Sequence, residues 1–193
     1  MSRVAANVFW KFRAFGLENI PRTGGVLLVS NHQSFLDPVL IAMVLPREMH
    51  FMARRTLFRN PVFRALIVGY NAFAIDRDNA DVKGVKSAIA RLEAGNILLV
   101  FPEGTRTKDG SVGLMKPAGV LADRAAVPIV PVHIQGAFEV WPKEKLIPRF
   151  GEISLIFGKP MNPDKITGDD IRDAVLGLKG DLVRCRIASS SRT

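Results

Sequence analysis

Residues Ser30–Pro38 read SNHQSFLDP and directly follow the apolar run GVLLV. His32 stands five residues ahead of Asp37, at the end of a segment with the composition of a buried strand. Histidine is the side chain best suited to exchange a proton near neutral pH. A carboxylate bonded to one ring nitrogen fixes its tautomer and stabilises the imidazolium formed on proton uptake. The pair therefore reads as a general base with its orienting acid. Asp37-Pro38 is equally a good N-cap–N1 pair, which would start a helix at Pro38. The two roles are compatible, because a carboxylate has two oxygens. Ser34, only two residues from His32, suits a bond to the turn's own backbone better than a nucleophile's task.

A second loop, FPEGTRTKDG, spans residues 101–110. Pro102 and Gly104 allow a sharp turn whose backbone N–H groups could face an anion. Arg106 offers a planar fork that matches phosphate oxygens, with Thr105 or Thr107 as hydroxyl donors. Glu103 would repel a phosphate, so it either accepts from a substrate hydroxyl or holds Arg106. A solvated turn with a local Glu–Arg pair is the plainer alternative. Lys116 follows closely enough to add positive charge. The third stretch, FAIDRDNA at 73–80, places Arg77 after an apolar run, between Asp76 and Asp78 as alternative surface partners. His50 and His133 lie within strand-like runs and read as core residues. Neither a metal-ligand cluster nor a glycine-rich nucleotide loop is visible in the sequence.

These loops need a scaffold that gathers them. Short apolar runs of strand length recur at 25–30, 50–54, 72–76, 96–101, 127–134 and 153–158. Most are continuous rather than alternating, as in a largely parallel sheet covered on both faces. Between them, Val82, Val85, Ala88, Ile89 and Leu92 form a helical stripe, with Asp78 or Asn79 as N-cap and Gly95 beyond its end. Thr167 and Asp170 have capping-box spacing ahead of Ile171, Val175, Leu178 and Leu182. Alternating strands and helices predict a single-domain αβα sandwich with a largely parallel central sheet. The prolines in VPIVPV predict an edge strand or an irregular entry. In open α/β sheets, sites form at the C-terminal strand ends. That rule selects the loops of His32, Arg77 and Glu103–Arg106.

Taken together, NHQSFLD, FAIDR, FPEGTRT and VPIVPV resemble, in order and spacing, the four blocks of the glycerolipid acyltransferase family, which includes the bacterial 1-acyl-sn-glycerol-3-phosphate acyltransferases. The likeness runs from about Gly24 to Pro160. It implies transfer of a fatty acyl group from acyl carrier protein (acyl-ACP) or coenzyme A (acyl-CoA) to the sn-2 hydroxyl of lysophosphatidic acid, giving phosphatidic acid in phospholipid biosynthesis. By the same resemblance His32 is the general base and Asp37 its orienting acid. Arg77, Glu103, Gly104, Thr105, Arg106 and Lys116 form the acceptor site, and Val127–Val132 help shape a pocket. The thioester is a co-substrate, with no bound cofactor and no metal. Met115-Lys116-Pro117 and IQGAFEVWPK depart from the usual pattern, so another lysophospholipid or a lyso-aminolipid is an alternative acceptor.

Composition narrows the partners. The chain has 193 residues, 48% hydrophobic and 23% charged, with a formal charge of +9. It is therefore globular, and its basic excess favours an anionic partner. The single cysteine, Cys185, excludes an intrachain disulfide and fits a reducing setting. No run approaches the roughly 18 apolar residues of a spanning helix. We expect a peripheral or monotopic protein on the cytoplasmic face of a membrane. Residues 1–23 mix Phe9, Trp10, Phe12 and Phe15 with Arg3, Lys11 and Arg13, which suits an amphipathic membrane-contacting segment or a helix packed on the core. Residues 24–188 would be the catalytic domain and 189–193 a loose tail. A second basic amphipathic stretch, RRTLFRNPVFRALIVGY, begins at Arg54. A thioesterase or lipase-type hydrolase shares the His–Asp logic, but no G-x-S-x-G elbow is present. No nucleic-acid-binding motif accompanies the basic charge, so nucleic acid is not an expected partner.

Overall fold

The continuous apolar runs form the middle of a sheet, where both faces are covered. The computed structural model of the chain describes residues 10–75, 81–102, 116–141, 147, 149–164 and 166–190. Among these, seven strands lie in the order β1-β7-β6-β2-β5-β3-β4. They are β1 (Trp10–Phe15), β2 (Val26–Ser30), β3 (Met49–Arg54), β4 (Ala72–Ile75), β5 (Ile97–Val100), β6 (Ile129–Gln135) and β7 (Gly151–Phe157). Neighbouring strands are parallel except β6 and β7.

Successive side chains of a strand point to opposite faces, which sorts the core into two layers. Val26 and Leu28 of β2, with Ile97 and Leu99 of β5, pack under α1 (Asp37–Val44), α2 (Pro61–Val68) and α5 (Ala137–Val140). Leu27, Val29, Leu98 and Val100 pack on the other side, under α3 (Val82–Glu93), α4 (Lys116–Ala125) and α6 (Gly168–Ser190). The expected αβα sandwich therefore forms around β2 and β5, which are buried along their whole length.

Four details differ from the sequence reading, each for a local reason. Residues Trp10–Phe15 are an edge strand paired with β7, not a helix. β6 is internal, between β2 and β7, despite its prolines. Pro131 sits where β7 has ended: its carbonyl accepts from the Gly158 N–H at 2.8 Å, and the N–H it lacks would face the same flank. The N-cap of α3 is Asp81, which accepts from the Gly84 N–H at 2.8 Å, while residues 78 and 79 lie outside the described ones. α6 continues to Ser190, so it takes in the first two residues of the supposed tail; residues 191–193 are outside the description. Its capping box is as expected, with Thr167 N–H donating to Asp170 and Asp170 N–H to Thr167.

His133 of β6 is 5% exposed. Burial, and then the Lys179 ammonium, push its pKa down from 6.5 to about 4. The unfolded chain therefore takes up a proton that the folded protein refuses. Stability contributed by neutral His133 is present above pH 6.5 and is lost as pH falls toward 4. Linkage sets that loss at about 2 kcal/mol between pH 7 and pH 5. Urea unfolding of a His133→Leu variant should show a correspondingly flatter pH dependence over that range than the wild type.

Candidate active site

β2, β3, β4, β5 and β6 all run the same way, so their C-terminal ends share one edge of the sheet. His32 follows β2 at the middle of that edge. Asn31 directs the chain there: its side chain continues the β2–β6 ladder by donating from Nδ2 to the Ile134 carbonyl at 3.0 Å and accepting from the Ile134 N–H at 2.8 Å. This leaves His32 as the first residue turned away from the strand.

The turn then closes on Asp37. One carboxylate oxygen, Oδ2, lies 2.8 Å from His32 Nδ1 and accepts from the Gln33 N–H at 2.6 Å and the Ser34 N–H at 2.8 Å. Backbone N–H groups can only donate, so Oδ2 faces all its neighbours as an acceptor. His32 therefore carries its proton on Nδ1, and the Nε2 lone pair is left for an incoming group. Asp37 is fully buried while the His32 side chain is 19% exposed, so the acid is shielded and the base is reachable. The other oxygen, Oδ1, is buried without a hydrogen-bond partner.

Asp37 is the first residue of α1, with Leu36 as its N-cap and no side-chain cap. The carboxylate reaches back into the turn rather than forward over the helix, so the expected N-cap role does not materialise. Ser34 is buried and serves structure: its hydroxyl donates to the Trp141 carbonyl at 3.1 Å and accepts from the Leu36 N–H at 3.3 Å. It is a turn residue, not a nucleophile.

The second face of the imidazole is fixed by Phe101, whose ring stacks on His32 with centroids 4.1 Å apart and planes at 23°. Phe101 immediately follows β5, and β5 pairs with β2 as far as Val29 opposite Val100. The FPEGTRT loop therefore departs from ring contact with His32. Its residues Glu103, Gly104, Thr105 and Arg106 lie outside the described ones, as does Arg77. Lys116 opens α4, with its side chain also outside the description. The stem of the Arg77 loop, at the end of β4, is on the same edge two strands beyond β5, roughly 10 Å across the sheet. Val127, Ile129, Val130 and Val132, from the fourth block, are buried in the sandwich, and only the C-terminal end of β6 reaches the edge.

Trp141 joins the site through Gly136, at the end of β6. Gly136 has φ +89°, and a Cβ there would stand 1.9 Å from the Glu152 carbonyl oxygen. Only glycine lets the chain turn so tightly against β7 and start α5 beside the His32 turn. The Trp141 ring then meets Phe35 edge-on, with centroids 6.2 Å apart. Asn31, Phe101 and Trp141 carry no role in the sequence reading. Their only local signal is position: each sits at the junction of a strand or short helix with a polar loop.

A buried carboxylate, an oriented imidazole with one nitrogen open, and a polar loop at ring contact can take a proton from a hydroxyl or water beside a bound anion. Among the described residues, no helix is long and apolar enough to cross a membrane. The Acyltransferase family profile matches residues 11–135. The chain is 30% identical over 151 residues to a 1-acyl-sn-glycerol-3-phosphate acyltransferase of Bacillus subtilis, covering 78% of this chain and 73% of the relative. It is 32% identical over 178 residues to one from Chlamydomonas reinhardtii, covering 86% of this chain and 51% of that protein. The chain thus spans about half the length of the algal relative. The crystal structure of the 1-acyl-sn-glycerophosphate (LPA) acyltransferase from Thermotoga maritima superposes with a TM-score of 0.74 at 29% identity, covering 91% of this chain and 72% of that one.

Proposed function

The chain belongs to the Acyltransferase family, and from that premise we propose that it acylates the sn-2 hydroxyl of lysophosphatidic acid to give phosphatidic acid. The acyl group comes from a thioester, acyl-CoA or acyl-ACP, and the protein works as a peripheral enzyme at the cytoplasmic face of a membrane. The observation that carries this reading is the His32–Asp37 pair, 2.8 Å apart, at a sheet edge beside the FPEGTRT loop. The names of the relatives supply the acceptor.

The chemistry follows from the geometry. A hydroxyl is too weakly acidic to attack unaided at neutral pH, so His32 Nε2 takes its proton as the oxygen attacks the thioester carbonyl. Asp37 stabilises the imidazolium that results. When the tetrahedral intermediate collapses, the carbon–sulfur bond breaks and the imidazolium returns the proton to the leaving thiolate. The products are an ester and a free thiol, with no covalent acyl-enzyme. Arg106 and Arg77 hold the acceptor phosphate, with Glu103, Gly104, Thr105 and Lys116 completing that site.

A mass-spectrometric product survey tests this directly, using mixed lysophospholipids with each thioester in turn. Phosphatidic acid should dominate. Free fatty acid without acceptor acylation would identify a hydrolase instead. Arg106→Ala should raise KM for the acceptor about tenfold or more while leaving KM for the thioester near its wild-type value. An unchanged acceptor KM would remove Arg106 from the phosphate site.

A further inference from the structure

β7 runs antiparallel to β6, with Gln135 opposite Ser154, so the residues leading into β7 stand at the same edge as His32. Ile147 and Phe150 are there, 76% and 78% exposed, the two most exposed large apolar residues among those described. Arg149 between them is exposed as well. This tip is fastened to the site. Arg149 N–H donates to the Val140 carbonyl at 2.8 Å, and its own carbonyl accepts from Trp10 Nε1 at 2.9 Å. Trp141, next in the chain after Val140, accepts from Ser34 in the His32 turn.

Positive charge lies on both flanks of the edge. Lys11 and Arg186 both pair with Glu152, at the start of β7, which sets two cations beside the tip. Arg55 and Arg59 follow β3 at the same edge and are exposed. Apolar side chains set among cations fit the boundary of an anionic bilayer, where the chains bury and the cations meet lipid phosphates. They fit water poorly.

We propose that Ile147, Arg149 and Phe150 are the bilayer-docking tip of this protein. The two apolar side chains enter the interfacial layer of an anionic membrane, and Arg149 meets lipid phosphate. Docking there sets the His32 edge against the membrane. This orientation rests on the lipid-acceptor reading, because an acceptor held in the bilayer by its acyl chain presents its hydroxyl from the membrane plane.

Cosedimentation of the full chain with vesicles of phosphatidylcholine and phosphatidylglycerol reads the docking without using activity. Against the wild type, the double variant Ile147→Ser, Phe150→Ser should bind about tenfold more weakly. A Phe150→Trp variant should shift its added emission to the blue with these vesicles and be quenched by lipids brominated on the acyl chain. Wild-type sedimentation of the double variant would overturn the proposal, as would an unshifted Phe150→Trp emission. Acyltransfer to detergent-dispersed lysophosphatidic acid should be unchanged in the double variant and reduced only with vesicle-borne acceptor. If the wild type fails to acylate the dispersed acceptor, the functional reading falls, while vesicle binding and emission still decide the docking.

Discussion

Substituting His32 with alanine is expected to leave a folded protein that turns over about a thousandfold more slowly. In the proposed reaction the hydroxyl proton must leave as the new carbon–oxygen bond forms, with His32 Nε2 as the base that receives it. Loss of the ring should lower kcat with little change in either KM, since the imidazole acts in the transition state rather than in holding substrates. The fold should tolerate the change. Asp37 keeps two backbone donors, from Gln33 and Ser34, and water can enter where the partly exposed ring stood. The stacking on Phe101 is worth about 1 kcal/mol, which in a domain of this size moves Tm by only about 2–4 °C. Steady-state kinetics at saturating thioester and acceptor, with a circular-dichroism melt beside them, check both halves. A variant retaining more than a tenth of wild-type kcat would exclude His32 as the base; the flag of a tenth is about 1.4 kcal/mol in the barrier.

The scaffold of this site was legible in the sequence where burial alone decides structure. VLLV and ILLV, apolar on both faces and too short for a helix of ordinary length, fit central strands of a covered sheet, and they became β2 and β5. Trp10–Phe15 was harder, because aromatics mixed with cations also suit an amphipathic helix. Its alternation of apolar Trp10, Phe12 and Ala14 with Lys11 and Arg13 is nevertheless the period-two signature of an edge strand. The strand needs only β7 beside it, a partner more than a hundred residues away that no local pattern names. The site divides along the same line. Five-residue spacing brings His32 and Asp37 together across one turn, so the pair could be read from the chain. The contacts of Asn31 with Ile134 and of His32 with Phe101 depend on sheet register, and register is set by tertiary packing. VPIVPV allowed an edge strand or an irregular entry, and the edge alternative failed for a related reason: proline excludes a donor at one flank, and whether that flank needs one depends on where β7 stops.

Asp37 should separate stability from catalysis. Its Oδ2 accepts three hydrogen bonds in a fully buried setting. Asp37→Ala takes that acceptor away from the buried Gln33 and Ser34 N–H donors. Each such donor costs about 1–3 kcal/mol, so the variant should lose about 3 kcal/mol or more of stability together with its activity. Asp37→Asn is different. Its amide oxygen can occupy the Oδ2 position and keep all three donors, while its NH2 falls at Oδ1, which has no partner in the native protein. The exchange also relieves the burial of a charge, which offsets the unpartnered amide. Stability should therefore stay within about 1–2 kcal/mol of the wild type. Activity should not survive, because a neutral amide cannot stabilise the imidazolium that forms when His32 takes the hydroxyl proton. The loss expected is about a hundredfold or more in kcat, with KM little changed. Denaturant titrations and kinetics on the pair of variants make the comparison. If Asp37→Asn is both stable and active, the carboxylate is a turn brace and His32 works without it; if it is stable and inactive, its negative charge belongs to the chemistry.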